Sequence, residues 1–189
     1  MTSAHEQAII LITGIQAAGK STIAQTLAER LTRSVHVRGD LFRRMVINGR
    51  EEMTANPSEE ALRQLRLRYR LTAAVSDGYF REGFTVAAQD VILGEELAGM
   101  VEMIQSRPLL VVVLAPRPDA VAAREAARAK DSHRRWTVNQ LDNVLRQETP
   151  RLGLWIDNSD QTVTDTVEEI LARAWSEARV PRPGAGGAT

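Results

Sequence analysis

Residues 14–21 read Gly-Ile-Gln-Ala-Ala-Gly-Lys-Ser, which is a glycine, four free positions, Gly-Lys and then serine. This pattern is typical of a phosphate-binding loop, in which glycines let successive backbone N–H groups point inward at phosphate oxygens. It predicts that Lys20 places its ammonium against the β- and γ-phosphates of a nucleotide, and that the Ser21 hydroxyl binds Mg²⁺. The other residues expected to hold the nucleotide are Gly14, Gln16, Ala17, Ala18, Gly19 and Thr22.

The residues on either side of this loop support the interpretation. Residues 8–13 (AIILIT) form an apolar run that is typical of a short buried strand. Residues 21–31 (STIAQTLAERL) are expected to form an amphipathic helix with Ile23, Leu27 and Leu31 on one face. A strand, loop and helix in this order direct the positive end of the helix dipole toward the phosphates.

The composition limits the classes of partner and of chemistry. The chain has 189 residues, of which 24 are Lys or Arg and 24 are Asp or Glu, so the formal net charge is zero. Zero net charge argues against a large electrostatic footprint for duplex nucleic acid or for an anionic membrane. The chain contains no cysteine, which excludes disulfides, thiolate metal sites and a cysteine nucleophile.

The first seven residues are polar and lack the cationic and apolar segments of a signal peptide. No apolar run in the sequence approaches the roughly 20 residues that a membrane-spanning helix requires. We therefore expect a cytoplasmic protein that does not interact with membranes.

Strand-like runs alternate with helix-like stretches along the chain, which is typical of a parallel sheet covered by helices on both faces. Capping boxes at Thr137 and Thr162 and a proline at position 118 predict three of the helix starts. An α/β class follows, with five parallel strands joined by right-handed crossovers. The four strands after the first are predicted at residues 35–38, 85–88, 109–114 and 154–156.

The chain is expected to form a single domain over residues 1–179, followed by a disordered, Pro- and Gly-rich tail over residues 180–189. An insertion at about residues 40–83 separates the second and third strands and contains a long helix that begins near Ser58. Ligands of open α/β sheets bind outside the carboxyl ends of the strands. The start of this insertion is therefore expected to hold the phosphate acceptor.

Asp40 comes directly after the second predicted strand. A carboxylate there would face the γ-phosphate and take the proton of an acceptor hydroxyl, so Asp40 is the predicted catalytic base and contacts the substrate. Arg43 lies one helical turn further if a helix begins near Asp40, and it is expected to hold the acceptor or to orient Asp40. The alternative interpretation is that Asp40 caps a helix and that Arg43 is its surface partner.

Asp90 comes directly after the third strand, next to Gln89. A carboxylate at the end of an apolar strand beside a phosphate loop is typical of a Walker B residue, which holds Mg²⁺ directly or through water. We therefore predict that Asp90 serves the metal and also lines the substrate site. The alternative is an aspartate that ends a strand in a turn.

A cationic segment follows the fourth strand. Arg124 and Arg128 are four positions apart, on one face of a predicted helix, and residues 124–136 are dense in cations. We expect a mobile lid there, in which Arg128 stabilises the charge of the transferring phosphoryl group. Arg124 is expected to pack on the adenine or to hold a phosphate. The alternative is a solvated basic helix end.

Four short segments together resemble the small P-loop kinases: the loop at residues 14–21, Asp40 with Arg43, Gln89 with Asp90, and Arg124 with Arg128. They are most similar to the chloramphenicol phosphotransferase-like group and to the kinase domain of phage polynucleotide kinase. The resemblance implies a P-loop NTPase fold with sheet order 2-3-1-4-5, and ATP with Mg²⁺ as the phosphoryl donor. It also implies that Asp40 is the general base, that Arg43 engages a substrate phosphate, and that Arg128 contacts the donor phosphates.

Three functions stay open at this point. The first is an ATP-dependent kinase, a phosphotransferase that acts on a hydroxyl of a small molecule. The second is a 5′-hydroxyl polynucleotide kinase that uses Arg43 and the stripe Arg63, Arg66 and Arg70, although zero net charge and 4% aromatic content favour it less. The third is a nucleotide-dependent regulatory NTPase whose partner is a protein. The sequence predicts neither the acceptor nor the oligomeric state.

Overall fold

Five strands form one parallel sheet in the order β2-β3-β1-β4-β5 in the computed structural model, which describes residues 5–54, 56–127 and 137–182. The predicted fold class and strand order are confirmed. The strands are β1 (Ile9–Gly14), β2 (Ser34–Arg38), β3 (Thr85–Gln89), β4 (Leu109–Leu114) and β5 (Leu154–Ile156).

The centre of the sheet is continuously apolar. Every residue of β1 and of β4 is buried, because helices cover both faces of a parallel sheet. In the pairing of these two strands, Ile9 lies opposite Leu109 and Gly14 opposite Leu114. The carboxyl end of β1, where the loop at residues 14–21 begins, is therefore fixed by the most deeply buried part of the molecule.

Helices alternate with the strands as predicted. The first helix, α1 (Lys20–Arg30), begins one residue earlier than the sequence pattern indicates and ends one residue earlier, since Leu31 is extended. The others are α2 (Gly39–Met45), α3 (Glu59–Arg81), α4 (Glu96–Met103), α5 (Pro118–Ala127), α6 (Val138–Asn143), which continues into a π-helical turn at Val144–Glu148, and α7 (Val163–Glu177).

The predicted helix starts are confirmed. Thr137 and Thr162 each complete a capping box at the start of α6 and of α7. Proline 118 is the first residue of α5. The Ser58 side chain accepts a hydrogen bond from the backbone N–H of Ala61 and so caps α3.

The predicted insertion between β2 and β3 consists of α2, a connecting segment and the 23-residue helix α3. Helix α3 packs against α2, β3 and α4, and buries Tyr69, Ala73 and Ser76 on one face. This packing brings α2 and the first part of α3 to the edge of the sheet where β1, β2 and β3 end, whereas the end of α3 lies at the opposite edge, where β1 and β3 begin. No helix among the described residues is long and apolar enough to cross a membrane.

Candidate active site

The loop between β1 and α1 has the backbone of a phosphate-binding loop. Gly19, which precedes the first residue of α1, has a positive φ of 96°, and Ala17 has a positive φ of 60°. Non-glycine residues with positive φ are uncommon and often occur at ligand sites. Since Gly19 supplies no side-chain cap, the first N–H groups of α1 keep their capacity to bind an anion.

Lys20, the first residue of α1, is buried, and its ammonium lies over the loop. Its Nζ donates a hydrogen bond of 2.6 Å to the backbone oxygen of Ile15. Ser21 is exposed and lines the same cleft as Lys20, together with Gln16 and Ala17. Lys20 and Ser21 thus line the same cleft.

The segment that follows β5 supports the phosphate-binding loop. The Nδ2 of Asn158, which is only 2% exposed, donates a hydrogen bond of 3.0 Å to the backbone oxygen of Ala18. Arg124 in turn donates to the backbone oxygens of Asn158, at 2.5 Å, and of Ser159, at 3.3 Å. Arg124 is therefore positioned beside the loop, through the segment that follows β5. The sequence analysis missed Asn158, because an asparagine after a strand is also an ordinary turn residue.

Asp40 lies in the first turn of α2 and lines the cleft beside Lys20. Its Oδ2 is 2.8 Å from Nη2 of Arg44 and accepts a hydrogen bond of 3.4 Å from Arg38. Its Oδ1 is buried and lies 3.4 Å from Nε of Arg38, without an aligned hydrogen bond. The Asp40 side chain is 29% exposed and lines the cleft, so its carboxylate can accept a hydrogen bond from a ligand hydroxyl there.

Arg43 does not pair with Asp40. Its guanidinium is held by Glu52, which also lies 3.4 Å from Arg50 in the segment between α2 and α3. Arg44, which is four residues after Asp40, forms the ion pair with Asp40 instead. Arg43 nevertheless lines the cleft, so it faces the space in which an acceptor would lie.

Asp90 is 4% exposed at the end of β3, and Arg68 of α3 clasps its carboxylate. Nη2 of Arg68 donates to Oδ1 at 2.8 Å, Nε lies 2.8 Å from Oδ2, and the N–H of Val91 donates to Oδ1 at 2.7 Å. Burial raises the pKa of the Asp90 carboxyl above its usual range, although the guanidinium of Arg68 opposes the shift. The sequence analysis did not include Arg68 in the site. The only signal in the sequence is that Arg68 lies next to the buried face of α3.

Tyr69, next to Arg68, completes the support of this strand end. Its hydroxyl donates a hydrogen bond of 2.8 Å to the backbone oxygen of Val91. Burial, with the negative charge of Asp90 close by, raises the pKa of the Tyr69 phenol well above its usual value. The phenol therefore stays protonated and keeps donating to the strand end.

Gly39, the first residue of α2, touches Asp90. A Cβ built on Gly39 would lie 2.1 Å from Oδ2 of Asp90 and 2.6 Å from its Cγ, well inside van der Waals contact. Only glycine lets the start of α2 approach the end of β3 this closely. The close approach brings Asp40 near Asp90, and the charge of Asp40 contributes to the raised pKa of Asp90.

These groups open into one cleft of about 940 Å³, which is at the upper end of the range for small-molecule sites. Its walls are the loop at residues 14–21, α2, α3 and the residues after β3. Lys20, Ser21, Asp40, Arg43 and Asp90 all line it, so the structure brings these predicted site residues together. Arg128 and the rest of the predicted lid, from residue 128 to residue 136, lie outside the described residues.

Among the described residues, no group of three or more His, Cys, Asp or Glu side chains could hold a metal ion. The oxygen donors beside the loop are the exposed Ser21 hydroxyl and the Asp90 carboxylate, both of which line the cleft. This donor set fits Mg²⁺, which keeps several waters and takes one or two protein oxygens besides phosphate oxygens.

Three solved structures illustrate what the fold is similar to. A sugar kinase from a Janibacter species has a TM-score of 0.65 over 88% of this chain and 94% of that chain, at 16% identity. The APS kinase CysC of Mycobacterium tuberculosis, solved with AMPPNP and APS, has a TM-score of 0.65 over 89% and 98%, at 17% identity. A gluconokinase from Sinorhizobium meliloti has a TM-score of 0.60 over 87% and 90%, at 19% identity.

At these identities the likeness shows the fold alone. It confirms the resemblance to the small P-loop kinases at the level of the fold, whereas the chloramphenicol phosphotransferase-like group stays a prediction. The curated proteins include none whose sequence matches this chain. A family model described as an AAA domain, AAA_33, matches residues 9–151, which is well over half of the chain and contains the whole cleft. The chain therefore belongs to the AAA_33 family of AAA domains.

Proposed function

We propose that this protein is an ATP-dependent kinase that transfers the γ-phosphate of ATP to a hydroxyl group of a small molecule. The observation that carries the proposal is that Lys20 of the phosphate-binding loop and the Asp40 carboxylate line one cleft. A switch protein needs the loop but no base beside it. A kinase needs both, because phosphoryl transfer depends on positioning and on a proton acceptor for the attacking hydroxyl.

The loop would bind the triphosphate. The first N–H groups of α1 and the Lys20 ammonium surround the phosphate oxygens in this proposal. Lys20 would give up its hydrogen bond to the backbone oxygen of Ile15 and donate to the β- and γ-phosphates instead. The exchange costs little free energy because one hydrogen bond replaces another. Arg124, which is anchored to the segment after β5, would lie beside the nucleotide.

Mg²⁺, when bound with ATP, would neutralise charge on the β- and γ-phosphates during transfer. Ser21 and Asp90 would hold it, Asp90 directly or through water. Arg68 keeps this carboxylate in a fixed orientation, and the Tyr69 hydroxyl keeps the strand end in place. These two residues were not part of the predicted site.

Asp40 would act as the general base. In the transfer step the acceptor oxygen forms a bond to the γ-phosphorus, the bond to the β–γ bridging oxygen breaks, and ADP leaves. The proton of the acceptor hydroxyl passes to the Asp40 carboxylate, while Arg44 and Arg38 hold this group toward the cleft. Arg128 remains the proposed residue for stabilising the transferring phosphoryl group.

The experiment is a transfer screen with γ-labelled ATP and Mg²⁺ over small alcohols, sugars, nucleosides, hydroxyl-bearing antibiotics and oligonucleotides. We expect label to appear on at least one small hydroxyl compound, and chelation of Mg²⁺ to abolish the transfer. Label on oligonucleotides alone would instead identify a polynucleotide kinase. Release of phosphate to water, with no labelled acceptor, would contradict the kinase and favour a regulatory NTPase.

A further inference from the structure

Gln89, the last residue of β3, has a buried side chain to which the proposed reaction gives no role. It is 3% exposed and lines the cleft, and its side-chain amide forms no hydrogen bond with a described residue. Buried amides nearly always have a partner, because an unpaired one loses its hydrogen bonds to water without replacement. An unpaired amide at the wall of a cleft is therefore available to a ligand.

The Gln89 side chain lies on the face of the sheet that α1 covers. Successive residues of a strand point to opposite faces, and the next residue, Asp90, is held from the face that α3 covers. Gln89 lies opposite Arg38 of β2, so His36, two residues before Arg38, shares its face. Nδ1 of His36 is 2.9 Å from Oε1 of Gln25 in α1. Gln89 therefore faces the helix that begins at the phosphate-binding loop.

The register of the sheet places Gln89 between the loop and Asp40. On one side it lies opposite Ile12 of β1, two residues before Gly14, where the loop begins. On the other side it lies opposite Arg38 of β2, two residues before Asp40. Neighbouring strands are about 4.8 Å apart. A phosphoryl group that passes from the loop to a hydroxyl at Asp40 must therefore cross the end of β3, where Gln89 lies.

We propose that the side-chain amide of Gln89 donates a hydrogen bond to the terminal phosphate of the bound nucleotide. A phosphate oxygen is a negatively charged acceptor, so the amide presents Nε2 to it. Because ADP lacks this phosphate, the bond makes the cleft distinguish ATP from ADP. The inference rests on the proposed function only in taking ATP as the nucleotide that the loop binds.

The first test compares the Kd of ADP with the Kd of the ATP analogue AMP-PNP in Gln89→Leu. Leucine keeps an apolar side chain of similar volume but has no donor. We expect AMP-PNP to bind about tenfold more weakly than it binds to the wild type, and ADP to bind as tightly as before. Calorimetric titration measures both constants. Equal losses for the two nucleotides, or no loss for either, would overturn the proposal.

A second variant, Gln89→Glu, separates a bond to phosphate from a bond to Mg²⁺ or to its water. An ionised carboxylate has nearly the shape of the amide but can only accept, so it repels a terminal phosphate and attracts a cation. We expect Gln89→Glu to weaken AMP-PNP binding at least as much as Gln89→Leu does, both in Mg²⁺ and in EDTA. Tighter binding of AMP-PNP in Mg²⁺ would mean that the amide oxygen serves the metal, and would overturn the proposal.

The matched controls are Gln147→Leu and Gln147→Glu, on an exposed glutamine of the π-helical turn outside the cleft lining, and they should change neither Kd. The transfer screen is run separately on the wild type. Selective loss of AMP-PNP affinity in Gln89→Leu, without transfer to any compound of the screen, would support this inference and count against the kinase. Transfer by the wild type, with unchanged AMP-PNP affinity in Gln89→Leu, would support the kinase and overturn this inference.

Discussion

The phosphate-binding loop and the opposite wall of the cleft, formed by α2, α3 and the residues after β3, are built in different ways. The loop is one run of consecutive residues, and the groups that would bind phosphate are mainly its own backbone N–H groups and Lys20. The opposite wall depends on side-chain pairs between distant positions, such as Arg68 with Asp90, 22 residues apart. A site made by the local backbone is visible in the sequence, whereas a site made by packing becomes visible only when the helices are in place.

The largest expected effect tests the loop. Lys20→Met removes the ammonium while keeping an apolar stem of similar length, so we expect transfer to fall about 10³-fold or more and ATP binding to weaken. Transfer rates and calorimetric titration with ATP measure the two effects. The control Arg30→Met changes a surface cation at the other end of α1 and should leave both unchanged. Retention of both transfer and ATP affinity within a few-fold would contradict a role of the Lys20 ammonium at the phosphates.

The next effect tests the packing of the opposite wall. Arg68→Met leaves the buried Asp90 carboxylate without its cation, and we expect the free energy of unfolding to fall by about 3 kcal/mol. Urea denaturation measures the change. Adding Asp90→Asn to the same chain removes the buried charge and should recover most of the loss. Additive losses in the double variant would mean that the two side chains do not depend on each other.

A third prediction concerns the contact between Gly39 at the start of α2 and Asp90 after β3. Gly39→Ala places a Cβ against Asp90, and we expect the shifted start of α2 to lower transfer about 100-fold with little change in ATP affinity. The matched control is Gly78→Ala in α3, where a Cβ meets nothing within 4 Å. This control should keep full transfer and gain about 0.5–1 kcal/mol of stability. Equal transfer in the two variants would contradict a positioning role for the contact with Asp90.

The smallest effect concerns the support behind the loop. Asn158→Ala deletes the hydrogen bond to the backbone oxygen of Ala18 in a buried place, so we expect stability to fall by about 1–2 kcal/mol and ATP to bind a few-fold more weakly. Thermal unfolding with and without ATP measures both. Asn139→Ala, on an exposed residue of α6, is the control. If ATP protected the Asn158 variant as well as the wild type, the support would be structural only.

Much of the fold was predictable because its signals are local. The apolar run of β4, the proline at the start of α5 and the capping boxes of α6 and α7 each fix one element. The lining of the cleft by Lys20 and Asp40 follows from the meeting of parallel strands at one edge. The sequence could not show that Arg68 reaches Asp90, because this contact depends on the rotation of α3 about its own axis.

The partner of Arg43 could not be predicted from the sequence for a similar reason. Helical spacing places both Arg43 and Arg44 near Asp40, and only the direction of the chain after α2 decides that Glu52 takes Arg43. The pairing is therefore a consequence of tertiary structure rather than of a motif.

The most direct test of the central claim is the separation of binding from transfer in Asp40→Asn. Asp119 occupies the first turn of α5 as Asp40 occupies that of α2, but it is exposed, so Asp119→Asn is the matched control. We predict that Asp40→Asn binds ATP as the wild type does and transfers phosphate to the best acceptor of the screen about 10²–10⁴-fold more slowly, while the control keeps both properties. Near-normal transfer by Asp40→Asn would contradict the account, because the carboxylate beside the phosphate-binding loop would then not be the base.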